Sequence, residues 1–116
     1  MLTKNATITN ITLETGNANT VMWIQFECED RPWPIYLKFQ IWFLSEFEKV
    51  SFIMNTAKVR HYRDLIGKKV RVIDNEEERN YLIAIGHPSK NRFIDLHGSE
   101  FPVSERRIYW RYRHKR

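Results

Sequence analysis

Residues 21–29, VMWIQFECE, alternate without a fault: Met22, Ile24, Phe26 and Cys28 share one side, with Trp23 and Gln25 on the other. Successive side chains of a strand point to opposite faces, so this period of two predicts a strand with one buried and one solvated face. The segment before it completes a hairpin. In residues 5–14 the apolar positions run Ala6, Ile8 and then shift phase to Ile11 and Leu13, which predicts a strand with a bulge or break near Thr9 and Asn10. Between the two strands, Gly16, Asn17, Ala18 and Asn19 supply residues that tolerate positive φ. After it, Arg31-Pro32-Trp33-Pro34 breaks the alternation, because proline lacks an amide donor and biases the residue before it toward extended geometry. A third strand follows, with Ile35, Leu37, Phe39 and Ile41 on one face against Tyr36, Lys38 and Gln40. Trp23 and Trp33 are expected to contribute packed area, the usual use of tryptophan in a small domain.

The period then changes. Ser45-Glu46-Phe47-Glu48 reads as a capping box, in which the Ser45 hydroxyl accepts from the Glu48 amide and the Glu48 side chain reaches back. Phe43, Phe47, Val50 and Met54, with Ile53 beside them, recur at helical spacing and predict a stripe that lies on the sheet. Residues 61–66 suit a short second turn closed by Gly67, and residues 68–73 and 81–85 return to a period of two around an acidic loop at 74–80. Residues 92–96 make a last short strand. The expected fold is α+β, a mainly antiparallel sheet with one principal helix, forming a single small domain over residues 1–97. Residues 98–116 are expected to be an extension packed on that domain or projecting from it.

At 116 residues, 42% hydrophobic and 14% aromatic, the chain can bury one core without a staple. It has no apolar run near the roughly 18 residues of a membrane span. Its first ten residues lack the basic-then-apolar layout of a signal peptide, and the single cysteine, Cys28, suits a reducing compartment. A cytoplasmic location and no membrane partner are therefore expected.

Charge is distributed unevenly. The chain has nineteen Lys and Arg against fourteen Asp and Glu. Residues 105–116, ERRIYWRYRHKR, take six of the cations and one of the acids, which leaves thirteen of each in residues 1–104. Arg106, Arg107, Arg111, Arg113, Lys115 and Arg116 alternate there with Tyr109, Trp110 and Tyr112. Cations pair with phosphates while flat rings stack on bases, so this segment is the principal candidate for binding nucleic acid. The same residues suit an acidic protein surface, since Arg, Trp and Tyr are common interface anchors. The period of two over residues 108–113 also suits an edge strand whose Ile108, Trp110 and Tyr112 simply pack on the body.

One central segment carries a resemblance. Tyr62-Arg63-Asp64-Leu65-Ile66-Gly67-Lys68-Lys69-Val70-Arg71-Val72, followed by Ile83-Ala84-Ile85-Gly86-His87 and then Phe93, resembles a group of small uncharacterised proteins encoded by bacteriophages and prophages. Those proteins pair an aromatic–x–Asp–Leu–x–Gly–Lys–x–Val–Arg segment with a later Ile–Gly–His and an aromatic, and the likeness covers roughly residues 3–97. Where that group usually has a glycine-rich stretch after the second strand, residues 27–34 stand here. The resemblance implies a phage-type fold, hence a host-cell cytoplasm, and assigns no activity.

Read physically, Asp64, Leu65, Gly67 and Lys68 are turn chemistry, whereas Lys68, Lys69 and Arg71 together could form a secondary phosphate-contacting stripe continuous with the tail. Asp95, His97 and His87 are metal-ligand types without a further ligand at suitable spacing. Cys28 lies on the apolar face of its strand, no glycine-rich elbow surrounds a serine, and no phosphate loop or dinucleotide fingerprint is present. The expectation is a non-enzymatic binding module, with no metal or cofactor. Its expected partner is nucleic acid, or alternatively a host protein that a phage accessory protein inhibits or redirects. An exposed edge strand would permit a homodimer.

Overall fold

Nearly every strand lies beside its neighbour in sequence. In the computed structural model, which describes residues 3–16, 19–74, 82–90 and 92–96, the elements run in simple order. Strands β1 (Thr3–Gly16), β2 (Asn19–Cys28) and β3 (Ile35–Phe39) precede helix α1 (Leu44–Ala57) and a 3-10 turn (Tyr62–Leu65). Strands β4 (Lys69–Asp74), β5 (Leu82–Gly86) and β6 (Phe93–Asp95) follow. Across the sheet the order is β3-β2-β1-β4-β5-β6, and every adjacent pair is antiparallel. Among these strands the single crossover is the step from β3 at one edge to β4 beside β1, and α1 makes it.

β1 serves both halves of the sheet by means of a bulge. Its register with β2 slips between Ile8, opposite Phe26, and Asn10, opposite Gln25, so Thr9 is the extra residue. The slip is what allows Ala6, Ile8 and Ile11 all to reach the core despite their phase shift. Pairing with β4 covers Thr3 to Thr7. At Ile8 the turn before β4 takes over: the Gly67 amide donates to the Ile8 carbonyl at 2.7 Å and the Ile8 amide donates to the Lys68 carbonyl at 3.0 Å. Gly67 reaches that position with a φ of +91°, where a side chain would be strained.

The main core lies between the sheet and α1. Met22, Ile24, Phe26, Ile35 and Phe39 meet Val50, Phe52 and Ile53 there, together with Val70, Val72 and Ile85 from the other half. β5 is buried along its whole length, and Ile73, Ile83, Ala84 and Phe93 form a second, smaller cluster.

Two local expectations are corrected. The helix begins at Leu44 with Phe43 as its N-cap and no side-chain cap, because the Phe47 amide already donates to the Phe43 carbonyl at 2.9 Å. Ser45 is therefore inside the first turn and the capping box does not form. Glu46 acts there instead, accepting from the Gln40 amide at 3.4 Å and from Lys49 Nζ at 2.8 Å. The apolar stripe is also rotated: Phe43 and Phe47 are 47% and 53% exposed, while Phe52 is buried.

Candidate functional site

The tail residues Arg106, Arg107, Tyr109, Trp110, Arg111, Tyr112, Arg113, Lys115 and Arg116 lie outside the described residues, as does His97. The body nevertheless has a charged surface of its own, which the neutrality of residues 1–104 conceals. Residues 58–71 and 86–92 together hold eight Lys and Arg and one acid, Asp64. The rest of residues 1–104 is left with five cations and twelve acids.

The fold brings those two segments to one end. β4 and β5 are antiparallel with Arg71 opposite Gly86, so the start of β4 and the end of β5 coincide. Lys58 ends α1 in a left-handed conformation, φ 59°, and turns the chain toward the 3-10 turn, against which α1 packs. Lys68 and Lys69 are then placed by the Gly67 docking on β1, with Lys69 opposite Thr7. From the other side the β5–β6 loop supplies Lys90 and Arg92, and the His87 amide closes that loop by donating to the Arg92 carbonyl at 2.9 Å. Lys58, Arg60, Arg63, Lys68, Lys69, Lys90 and Arg92 are exposed and Arg71 is half-buried. Among the described residues, no ion pair engages any of the eight.

His87 registers this concentration of charge. Its pKa is held below the ordinary histidine value, first by partial desolvation and then by the positive charges of Lys90, Arg92, Arg71 and Lys58. Its Nδ1 accepts from the Ser89 and Lys90 amides at 3.0 and 2.9 Å, which requires the neutral ring.

Arg71 is the tie that holds the end together. Its Nε donates to the His87 carbonyl at 2.9 Å and its Nη2 to the Lys90 carbonyl at 2.8 Å, while its guanidinium carbon sits 5.1 Å from the centre of the Phe93 ring. Arg71, Gly86 and Phe93 are consecutive cross-strand partners, and a Cβ on Gly86 would come within 2.4 Å of the Phe93 ring. Of the expected stripe, Lys68 and Lys69 thus remain exposed, whereas Arg71 has two donors committed to carbonyls. Linear reading passed over the other members: the pairing of β4 with β5 brings Lys90 and Arg92 to the start of β4, and the end of α1 brings Lys58 within electrostatic reach of His87.

Other candidates carry less chemistry. Cys28 is buried on the core side of β2. Asp95 is buried on β6, and among the described residues no group of three or more His, Cys, Asp or Glu could hold a metal ion. Trp33 is 44% exposed, contrary to the packing expectation, while Trp23 is half-buried beneath Lys38, whose Nζ lies 5.8 Å from its ring centre. An open groove of about 320 Å³ is lined by Glu14, Lys38, Gln40 and Trp42 among others. No protein-family model, curated protein or solved structure matches the chain.

Proposed function

We propose that this protein is a non-enzymatic module that binds nucleic acid through phosphate contacts. The observation that supports it is charge segregation: eight cations and one acid at the β4–β5 end, set against five and twelve in the rest of residues 1–104. Exposed cations that are not engaged by carboxylates can each displace a condensed counterion from a phosphate backbone. The tail adds six more cations and contributes Tyr109, Trp110 and Tyr112 as stacking groups. Lys58, Arg60, Arg63, Lys68, Lys69, Lys90 and Arg92 carry the backbone contacts on the body, and Arg71 positions the loop that presents two of them. Phosphate contacts read no sequence, so selectivity among bases is expected to be slight.

A salt series of binding to single- and double-stranded DNA and RNA tests this. Affinity should fall by about 10³ or more between 50 and 200 mM salt if six or more phosphates are engaged. Persistence of binding at high salt, or no binding to any of the four at low salt, would overturn the assignment. Capture of a host protein that survives nuclease treatment would instead support the interaction with an acidic protein surface.

A further inference from the structure

Among the described residues, six of the eight large exposed apolar side chains fall in one stretch of chain that includes β3. Trp33 precedes the strand, Tyr36 is on it, Trp42 and Phe43 follow it, and Leu44 and Phe47 are in the first turn of α1, all between 44% and 74% exposed. Trp42 and Phe43 are stacked on each other at 3.8 Å between ring centres, so the chain leaving β3 carries exposed aromatic area of the kind that interfaces use. Among the described residues β3 pairs only with β2, so no described strand takes up the backbone donors and acceptors along its outer edge.

We propose that this edge pairs with β3 of a second copy of the chain, extending both sheets across a two-fold axis. The side chains of β3 select that occupant and its register. Centred on Leu37, an antiparallel self-pairing sets Tyr36 of each copy opposite Lys38 of the other, an aromatic ring against an ammonium group, and Ile35 opposite Phe39 on the core-facing side. A register centred on Lys38 would place the two ammonium groups against each other, which disfavours it. Isologous contacts require a surface complementary to itself, and in this register the two symmetry-related Tyr36–Lys38 pairs supply that complementarity. β3 lies at the opposite edge of the sheet from β5 and β6, so the pairing leaves the loop that carries Lys90 and Arg92 uncovered.

The test is sedimentation equilibrium on the full chain, after nuclease treatment and in high salt, so that association bridged by nucleic acid does not register. The expected mass at high concentration is twice the 14.1 kDa of one chain. Tyr36→Lys sets a second cation opposite Lys38 and should weaken the dimer about tenfold or more. Adding Lys38→Glu should restore it, because the introduced ammonium group then faces the introduced carboxylate of the other copy across the axis. A monomer at every concentration overturns the proposal. So does a dimer indifferent to Tyr36→Lys, or one that the double substitution fails to rescue while circular dichroism shows the fold intact.

Discussion

Gly86 carries the tightest constraint among the described glycines. The Phe93 ring lies over it, a Cβ there would also come within 2.6 Å of the Arg92 carbonyl oxygen, and the strand pairs on both sides. Gly86→Ala is expected to destabilise the fold by about 1–3 kcal/mol, the cost of overpacking a close contact, measurable by urea denaturation. Arg71 acts at the same place through geometry. Its planar fork spans two carbonyls, so Arg71→Lys should not restore what Arg71→Ala loses, and the Ser89 and Lys90 amides should exchange hydrogen faster in both variants. His87 gives the loop a pH dependence. Its pKa is lowered on folding, so the unfolded chain binds more protons as pH drops into the histidine range. Its contribution is full above about pH 6.5 and is lost as pH falls from there through the folded pKa. An NMR titration should place the His87 pKa below the ordinary value and show loss of protection at the Ser89 and Lys90 amides as the ring protonates. The conformation of Gly67 was legible from its place after a short turn, whereas the need for glycine at 86 arises from the Phe93 ring on another strand and was not.

At the scale of elements, strands were easier to read than the helix. The clean alternation of β2 and the phase slip at Thr9 each appear in the structure as expected, because one buried face imposes a period of two that little else produces. α1 was located correctly but rotated. Phe43 and Phe47 look as apolar as Phe52 in sequence, and which of them meets the sheet depends on how the crossover from β3 to β4 sets the helix down. Substitution separates the two groups. Ile53→Ala should cost about 2–5 kcal/mol as a buried cavity mutation, whereas Phe47→Ala should cost well under about 1 kcal/mol, as compared by chemical denaturation. The misplaced capping box has a similar cause: Ser45 and Glu48 satisfy the spacing, but the Gln40–Phe43 turn starts the helical ladder earlier.

For the whole molecule, the decisive property is the separation of charge along the β4–β5 hairpin. Lys69, Arg71, Lys90 and Arg92 gather at one end, while the strand ends at Asp74 and Leu82, which the acidic connection joins, lie at the other. Charge reversal should therefore act on binding and leave folding alone. Lys69→Glu, Lys90→Glu and Arg92→Glu combined are expected to reduce the slope of log affinity against log salt by about 3 on duplex DNA, with stability changed by no more than about 0.5 kcal/mol per site. Truncation after Ser104 should reduce the slope further and independently. Taken alone, the sequence determined the strands, the bulge in β1, the presence of one principal helix and the basic aromatic character of residues 105–116, because periodicity and local charge are properties of neighbours along the chain. Only the tertiary structure decided which helical face is buried, why Gly86 must lack a side chain and that Lys58, Lys69, Arg71, Lys90 and Arg92 gather at one end. Those features depend on antiparallel pairing and packing between residues far apart in sequence, and a charge sum that is neutral over 104 residues gives no sign of cations that gather once β4 and β5 pair.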